Sequence, residues 1–170
     1  MARIGEDEPV VQTIEAAERP ATAALMLVVD GSARLAGTDA GLIAALDAIP
    51  PGSKVGAVVA AEPMRLVPLA PWSDAHKQAV TKLLRSTSFS GGQDNAPALV
   101  EALQRLEAEP DATLLWVHGP QPVSFQQSAG QLEQAARASR LPQVVLYDVE
   151  PGPNELLPDA AWVWSAHSLP

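Results

Sequence analysis

The stretch Ala24-Leu25-Met26-Leu27-Val28-Val29-Asp30-Gly31-Ser32-Ala33-Arg34 decides the fold. Its six apolar residues in a row are too few to cross a bilayer and read as part of a first strand, Ala23 to Val29, covered on both faces. An acidic residue at the carboxyl end of such a strand, followed by small residues and a helix, lies at the rim where open α/β sheets bind ligands. The chemistry of the chain therefore turns on what Asp30 holds.

Outward from that strand, strands alternate with helices. Leu42, Ile43 and Leu46 make one helical face over Asp39 to Ile49, and Pro50-Pro51-Gly52 stops that helix. Lys54 to Ala61 reads as a second strand and Met64 to Leu69 as a third. The gap at Glu62-Pro63 is too short for a crossover helix, so this pair is antiparallel. Ser73 and Asp74 cap a helix to about Arg85, with Ala79, Val80, Leu83 and Leu84 expected inward. Phe89 to Asn95 forms a loop feeding a helix with Pro97 in its first turn and Leu99, Val100, Leu103 and Leu106 as its stripe. Thr113 to Val117 is a further core strand ending on His118-Gly119-Pro120. A helix from about Ser124 to Ser139, a fifth strand at Gln143 to Tyr147 and a sixth at Ala161 to Ser165 follow. The pattern predicts an α/β, three-layer, Rossmann-like fold. Its sheet is six-stranded and mostly parallel, with one antiparallel edge strand and helices on both faces. Residues 1–20 read as a polar lead-in and 21–168 as one domain.

At 170 residues and 47% hydrophobic, the chain is long enough for one filled core and short for two. A net charge of -9 and a pI of about 4.6 argue against a nucleic-acid partner. There is no cysteine, which removes thiolate chemistry and leaves the compartment open. Neither a leader-type apolar segment nor a run long enough to span a membrane is present in these residues, so no membrane insertion by this segment is expected. The chain also reads as a possible module of a longer parent, and its alanine- and proline-rich composition suggests a bacterial source.

Three segments together resemble the von Willebrand factor A domain family, over roughly residues 22 to 166. Asp30-Gly31-Ser32-Ala33-Arg34 is similar to its Asp-x-Ser-x-Ser turn, Ser90-Gly91-Gly92-Gln93-Asp94 to its Gly-Gly-Thr-Asp loop, and Val117-His118-Gly119-Pro120 to the Asp-Gly end of its fourth strand. The resemblance implies loops that meet at the carboxyl edge of the sheet and, in the family, hold a divalent cation, usually Mg2+, that takes a partner's carboxylate. Asp30 and Ser32 match two ligands. Arg34 stands where the second serine belongs, Gln93 at the threonine and His118 at the later aspartate. A guanidinium has no lone pair to offer and an imidazole suits Zn2+ better than Mg2+, so the adhesion site is expected to be degenerate and without cofactor. Two arrangements stay open. In one, Arg34 replaces the ion and pairs with Asp30, with Ser32 and Gln93 completing the bonding. In the other, Arg34 points to solvent while Asp30 caps the next helix or bonds N–H groups of its own turn.

The degenerate site therefore comprises Asp30, Ser32, Arg34, Gln93, Asp94 and His118, and the expected partner is a protein or a neighbouring domain. The alternative keeps a weak Mg2+ on Asp30, Ser32 and Asp94. His118 is expected to hydrogen-bond a neighbouring loop, with a switch or ligand role as the alternative. A hydrolytic set of Asp30, Ser32 and His118 lacks the Gly-x-Ser-x-Gly elbow, Gly91-Gly92 lacks the lysine of a phosphate loop, and Asp30 lacks the Asp-x-Asp pattern of phosphotransfer enzymes. Catalysis is not expected. Trp116 should be core, Trp72 should staple a helix start, and Trp162 and Trp164 should share one face of the last strand.

Overall fold

The computed structural model describes residues 24–122, 126–138, 143–150, 152–156 and 164–168. Their elements are β1 (Ala24–Asp30), α1 (Asp39–Ala45), β2 (Lys54–Ala60), β3 (Arg65–Pro71), α2 (Asp74–Arg85), α3 (Ala96–Leu106), β4 (Ala112–His118), α4 (Gln126–Ala138), β5 (Gln143–Asp148) and β6 (Trp164–Ser168). They form one six-stranded sheet in the order β3-β2-β1-β4-β5-β6. Every neighbouring pair is parallel except β2 with β3. The expected mostly parallel sheet with one antiparallel edge strand is the observed one.

Burial follows from β1 lying at the centre. Met26 and Val28 pack on one face with Leu99, Leu103, Leu106, Leu114 and Trp116. Leu27 and Val29 pack on the other with Leu35, Leu46, Val80, Leu84 and Val117. Side chains of a strand point alternately to the two faces, so a strand between two helical layers must be apolar throughout. Asp30 ends this strand still on the ladder, its Cα opposite Ala60.

Three local expectations are corrected. Ala79 is exposed, because the buried arc of α2 is centred on Val80, Leu83 and Leu84 and Ala79 falls beyond its edge. The third strand runs to Pro71, because an edge strand tolerates Pro68 and Pro71 where a central one does not. The sixth strand is Trp164–Ser168, in register with β5 from Val144 to Asp148, so ladder partners extend it past the apolar residues that marked it. Residues 161–163, and with them the expected two-indole face, lie outside the described residues, as do residues 1–23. Trp116 is fully buried. Trp72 packs beside the start of α2, its ring edge-on to His76 at 6.1 Å, and Ser73 accepts a hydrogen bond from His76 N.

Candidate functional site

Three loops meet at the carboxyl edge of the sheet, the first two joined to each other by backbone hydrogen bonds and the third to the loop after β5. After β1 the chain makes a single tight turn, Ala33–Leu35. Ala33 N donates to Gly91 O at 2.9 Å and Ser90 N to Gly31 O at 2.9 Å, joining the first loop to the one before α3. Gln121 N donates to Pro153 O at 2.8 Å and Val149 N to His118 O at 2.9 Å, joining the loop after β4 to the one after β5. Glycine is required at two of these positions. A Cβ on Gly31 would lie 2.3 Å from the carbonyl oxygen of Ala60, and Gly91 has φ +62°.

Asp30 is fully buried beneath these loops, and four donors converge on it. Oδ1 accepts from Ser32 N at 3.0 Å and from Asn95 Nδ2 at 3.2 Å. Oδ2 accepts from Ser32 Oγ at 2.8 Å and from Gln121 Nε2 at 3.2 Å. The orientation of Asn95 is fixed chemically: its Oδ1 faces Trp116 Nε1, which can only donate, at 3.1 Å, while its Nδ2 faces the carboxylate. Gln121 Oε1 in turn accepts from Asn95 Nδ2 at 3.1 Å. The carboxylate is therefore held by neutral N–H and O–H groups, and the amide oxygens nearby are already engaged.

Arg34 does not reach this carboxylate. Its Nη1 donates to Glu150 Oε2 at 2.6 Å, with both side chains more than half exposed. Of the two arrangements the sequence left open, the one with the guanidinium on Asp30 is overturned, and the one with Arg34 outward and Asp30 bonding an N–H of its own turn is found. Four neutral donors already fill the carboxylate, and an arginine stays solvated at less cost beside an exposed glutamate. Gln93 Nε2 donates to Ser90 O at 2.9 Å, bracing its own loop rather than Asp30. Asp94 Oδ1 accepts from Ala96 N at 3.0 Å, capping the first turn of α3. His118 is buried, its Nδ1 2.8 Å from Gly119 O and its ring stacked on Trp116 at 4.0 Å. Above the buried layer, Ser32, Arg34, Gly91, Gly92, Gln93, Asp94, Pro120, Gln121 and Pro122 line a cleft of about 460 Å3. Five of the six expected site residues thus share the rim, Asp30 forming its floor, and His118 lies below it, against Trp116.

No family model and no curated protein matches the chain. Solved structures do. A von Willebrand factor type A protein from Catenulispora acidiphila superposes over 88% of this chain and 39% of its own, with TM-score 0.66 and 14% identity. The SpRpn10 VWA domain matches over 88% of both chains, with TM-score 0.56 and 12% identity. The fold is of the von Willebrand factor A type. The pilus adhesin SpaC from Lactobacillus rhamnosus GG matches over 77% of this chain, with TM-score 0.60 and 12% identity. This chain spans 39% of the first of these proteins and 25% of the adhesin.

The residues of this A-type domain do not fit a divalent cation at Asp30. Such an ion needs about six oxygen ligands at roughly 2.0–2.1 Å if Mg2+. Here the Asp30 oxygens accept four hydrogen bonds, Ser32 Oγ is turned to Asp30 as a donor, and the amide groups facing Asp30 are nitrogens. Among the described residues, no three His, Asp or Glu side chains gather to hold a metal. Asn95 and Gln121, which occupy the carboxylate, were not singled out from the sequence. Both are neutral amides, Asn95 at the N-cap of α3 and Gln121 between Pro120 and Pro122, and only the tertiary fold aims them at Asp30.

Proposed function

We propose that this domain is a non-catalytic, metal-independent protein-interaction module whose rim loops contact a partner protein or a neighbouring domain. The observation that carries the reading is the closed set of neutral donors around Asp30, which leaves the buried carboxylate no oxygen free to bridge an ion to a partner. Recognition then falls to the groups that line the cleft above it, Arg34, Gln93, the Gly91-Gly92 backbone and the prolines Pro120 and Pro122. Loops presented by a rigid sheet are the usual carriers of binding in open α/β folds. A non-catalytic role fits the local chemistry, because Ser32 Oγ donates to an Asp30 carboxylate that three other hydrogen bonds already occupy, and His118 Nδ1 is turned to Gly119 O.

The test is capture of a partner by the immobilised domain in EDTA and in millimolar Mg2+, with wild type and with a Gln93→Arg, Pro120→Ala double variant. The same partner, captured equally in both buffers and lost with the variant, is the expected result. Capture that requires Mg2+, or that survives the loop changes, contradicts the proposal.

A further inference from the structure

The chain carries a net charge of -9, yet its cations are unevenly satisfied. Arg34, Lys54, Lys77, Arg105 and Arg137 each pair with a carboxylate. Among the described residues, Arg65, Lys82 and Arg85 have none, and all three lie at one place. Arg65 on β3 donates from Nη1 to Ser86 O at 2.8 Å and from Nη2 to Ser86 Oγ at 2.7 Å, which seats its guanidinium at the end of α2. Lys82 and Arg85 are exposed on the last turn of that helix. With Asp74, Lys77, Gln78 and Thr81 they form an open strip along the outer face of α2. Met64, the large apolar residue exposed among the described residues at 42%, immediately precedes Arg65.

We infer that this face of α2 is a second docking surface, for an acidic polypeptide segment that also carries an apolar side chain. Spacing favours a chain over a single compact anion. Lys77 to Arg85 span about 12 Å of helix, and Lys77, Arg85 and Lys82 fall at about 0°, 80° and 140° around its axis, a strip rather than a converging pocket. Asp74 and the Asp47 partner of Lys77 partly offset the strip, and the excess is concentrated at the Lys82, Arg85 and Arg65 end. Whole-molecule charge favours a peptide over a membrane. An anionic bilayer meets the whole face of a strongly acidic domain and is repelled, whereas a narrow segment lies within about 8 Å of the cations and is screened from the rest at physiological salt. Met64 beside Arg65 supplies the apolar contact that an acidic segment with a leucine or phenylalanine would use.

The test measures fluorescence anisotropy of a labelled peptide of alternating Glu and Leu against the full chain, its Gln-for-Glu counterpart, and phosphatidylserine vesicles. The acidic peptide is expected to bind, to weaken steeply with added NaCl, and to bind about tenfold more weakly to Lys82→Glu, Arg85→Glu than to wild type. An Arg137→Glu change, which removes an exposed cation on α4, should leave affinity unaltered, and circular dichroism checks that each variant folds. Equal affinity for wild type and the α2 variant, absence of peptide binding, or binding to vesicles in preference to the peptide would each overturn the inference. Because none of these substitutions touches the rim cleft, the result is independent of the proposed rim contact.

Discussion

Asn95→Asp is expected to destabilise the domain by several kcal/mol at neutral pH, and to do so less at acidic pH. Asn95 Nδ2 lies 3.2 Å from Asp30 Oδ1 and 3.1 Å from Gln121 Oε1. The substitution replaces a donor by a carboxylate oxygen facing two acceptors in a fully buried setting. Two like charges at about 4 Å repel by about 4 kcal/mol at an effective dielectric of about 20. One carboxyl of such a pair is held protonated, its affinity for the proton raised above the unfolded value of about 3.9. The folded variant then binds more protons than the unfolded chain, so its stability falls as pH rises through the raised value and recovers as pH drops towards the unfolded range. Urea midpoints at pH 5 and pH 7, compared with wild type at each, measure this. A loss that is the same at both, or no loss at all, contradicts the buried-donor account of Asn95.

Trp116→Ala is the second large expected effect. Trp116 is fully buried and contributes the largest side chain of its core cluster. Truncating a buried tryptophan costs about 3–5 kcal/mol through lost burial and the cavity left behind. It also strands Asn95 Oδ1, which accepts from Trp116 Nε1 at 3.1 Å, and removes the ring stacked on His118. An unsatisfied buried acceptor adds about 1–3 kcal/mol. Trp116→Phe separates the terms: it keeps most of the apolar bulk, loses the N–H, and should cost about 1–3 kcal/mol. Denaturation followed by circular dichroism at 222 nm avoids reading out through the tryptophan being changed. A Phe variant as stable as wild type would show that the Trp116–Asn95 bond contributes nothing to the rim.

Much of the fold was legible because the hydrophobic period and the punctuation agree. The unbroken run at Ala24 to Val29 can only be a strand covered twice, and β1 is central. The Glu62-Pro63 gap forces the antiparallel return of β3. Ser73 marks the start of α2 and accepts the capping hydrogen bond its position promised. The site was legible in position and partly misread in chemistry. That Asp30 and Ser32 lie at this rim follows from topology, because they end and follow a central parallel strand. Gln93 and Asp94 lie between α2 and α3, and the family resemblance is what placed them there. What satisfies Asp30 does not follow from topology. The sequence offers a cation at Arg34, two residues beyond the matched serine, and the obvious electrostatic partner for a carboxylate is a guanidinium. The fold instead sends Arg34 outward to Glu150, which is 116 positions away in the chain, and brings in Asn95 and Gln121 as neutral donors. Pairings of that kind depend on the rotation of each side chain about the rim, which residue spacing does not encode.

The central claim, that the chain's own donors complete the Asp30 site without a metal ion, is tested most directly by thermal unfolding of the wild-type domain. Increasing Mg2+, Mn2+ and Ca2+ to millimolar concentration is compared with NaCl at matched ionic strength. Any ligand that binds the native state alone must raise its melting temperature, by about 2.7 kcal/mol of added stability at a hundredfold excess over Kd. The account predicts a melting temperature that follows ionic strength and is indifferent to the identity of the cation. A saturable rise specific to one divalent ion, lost when Ser32 is changed to Ala, would contradict it.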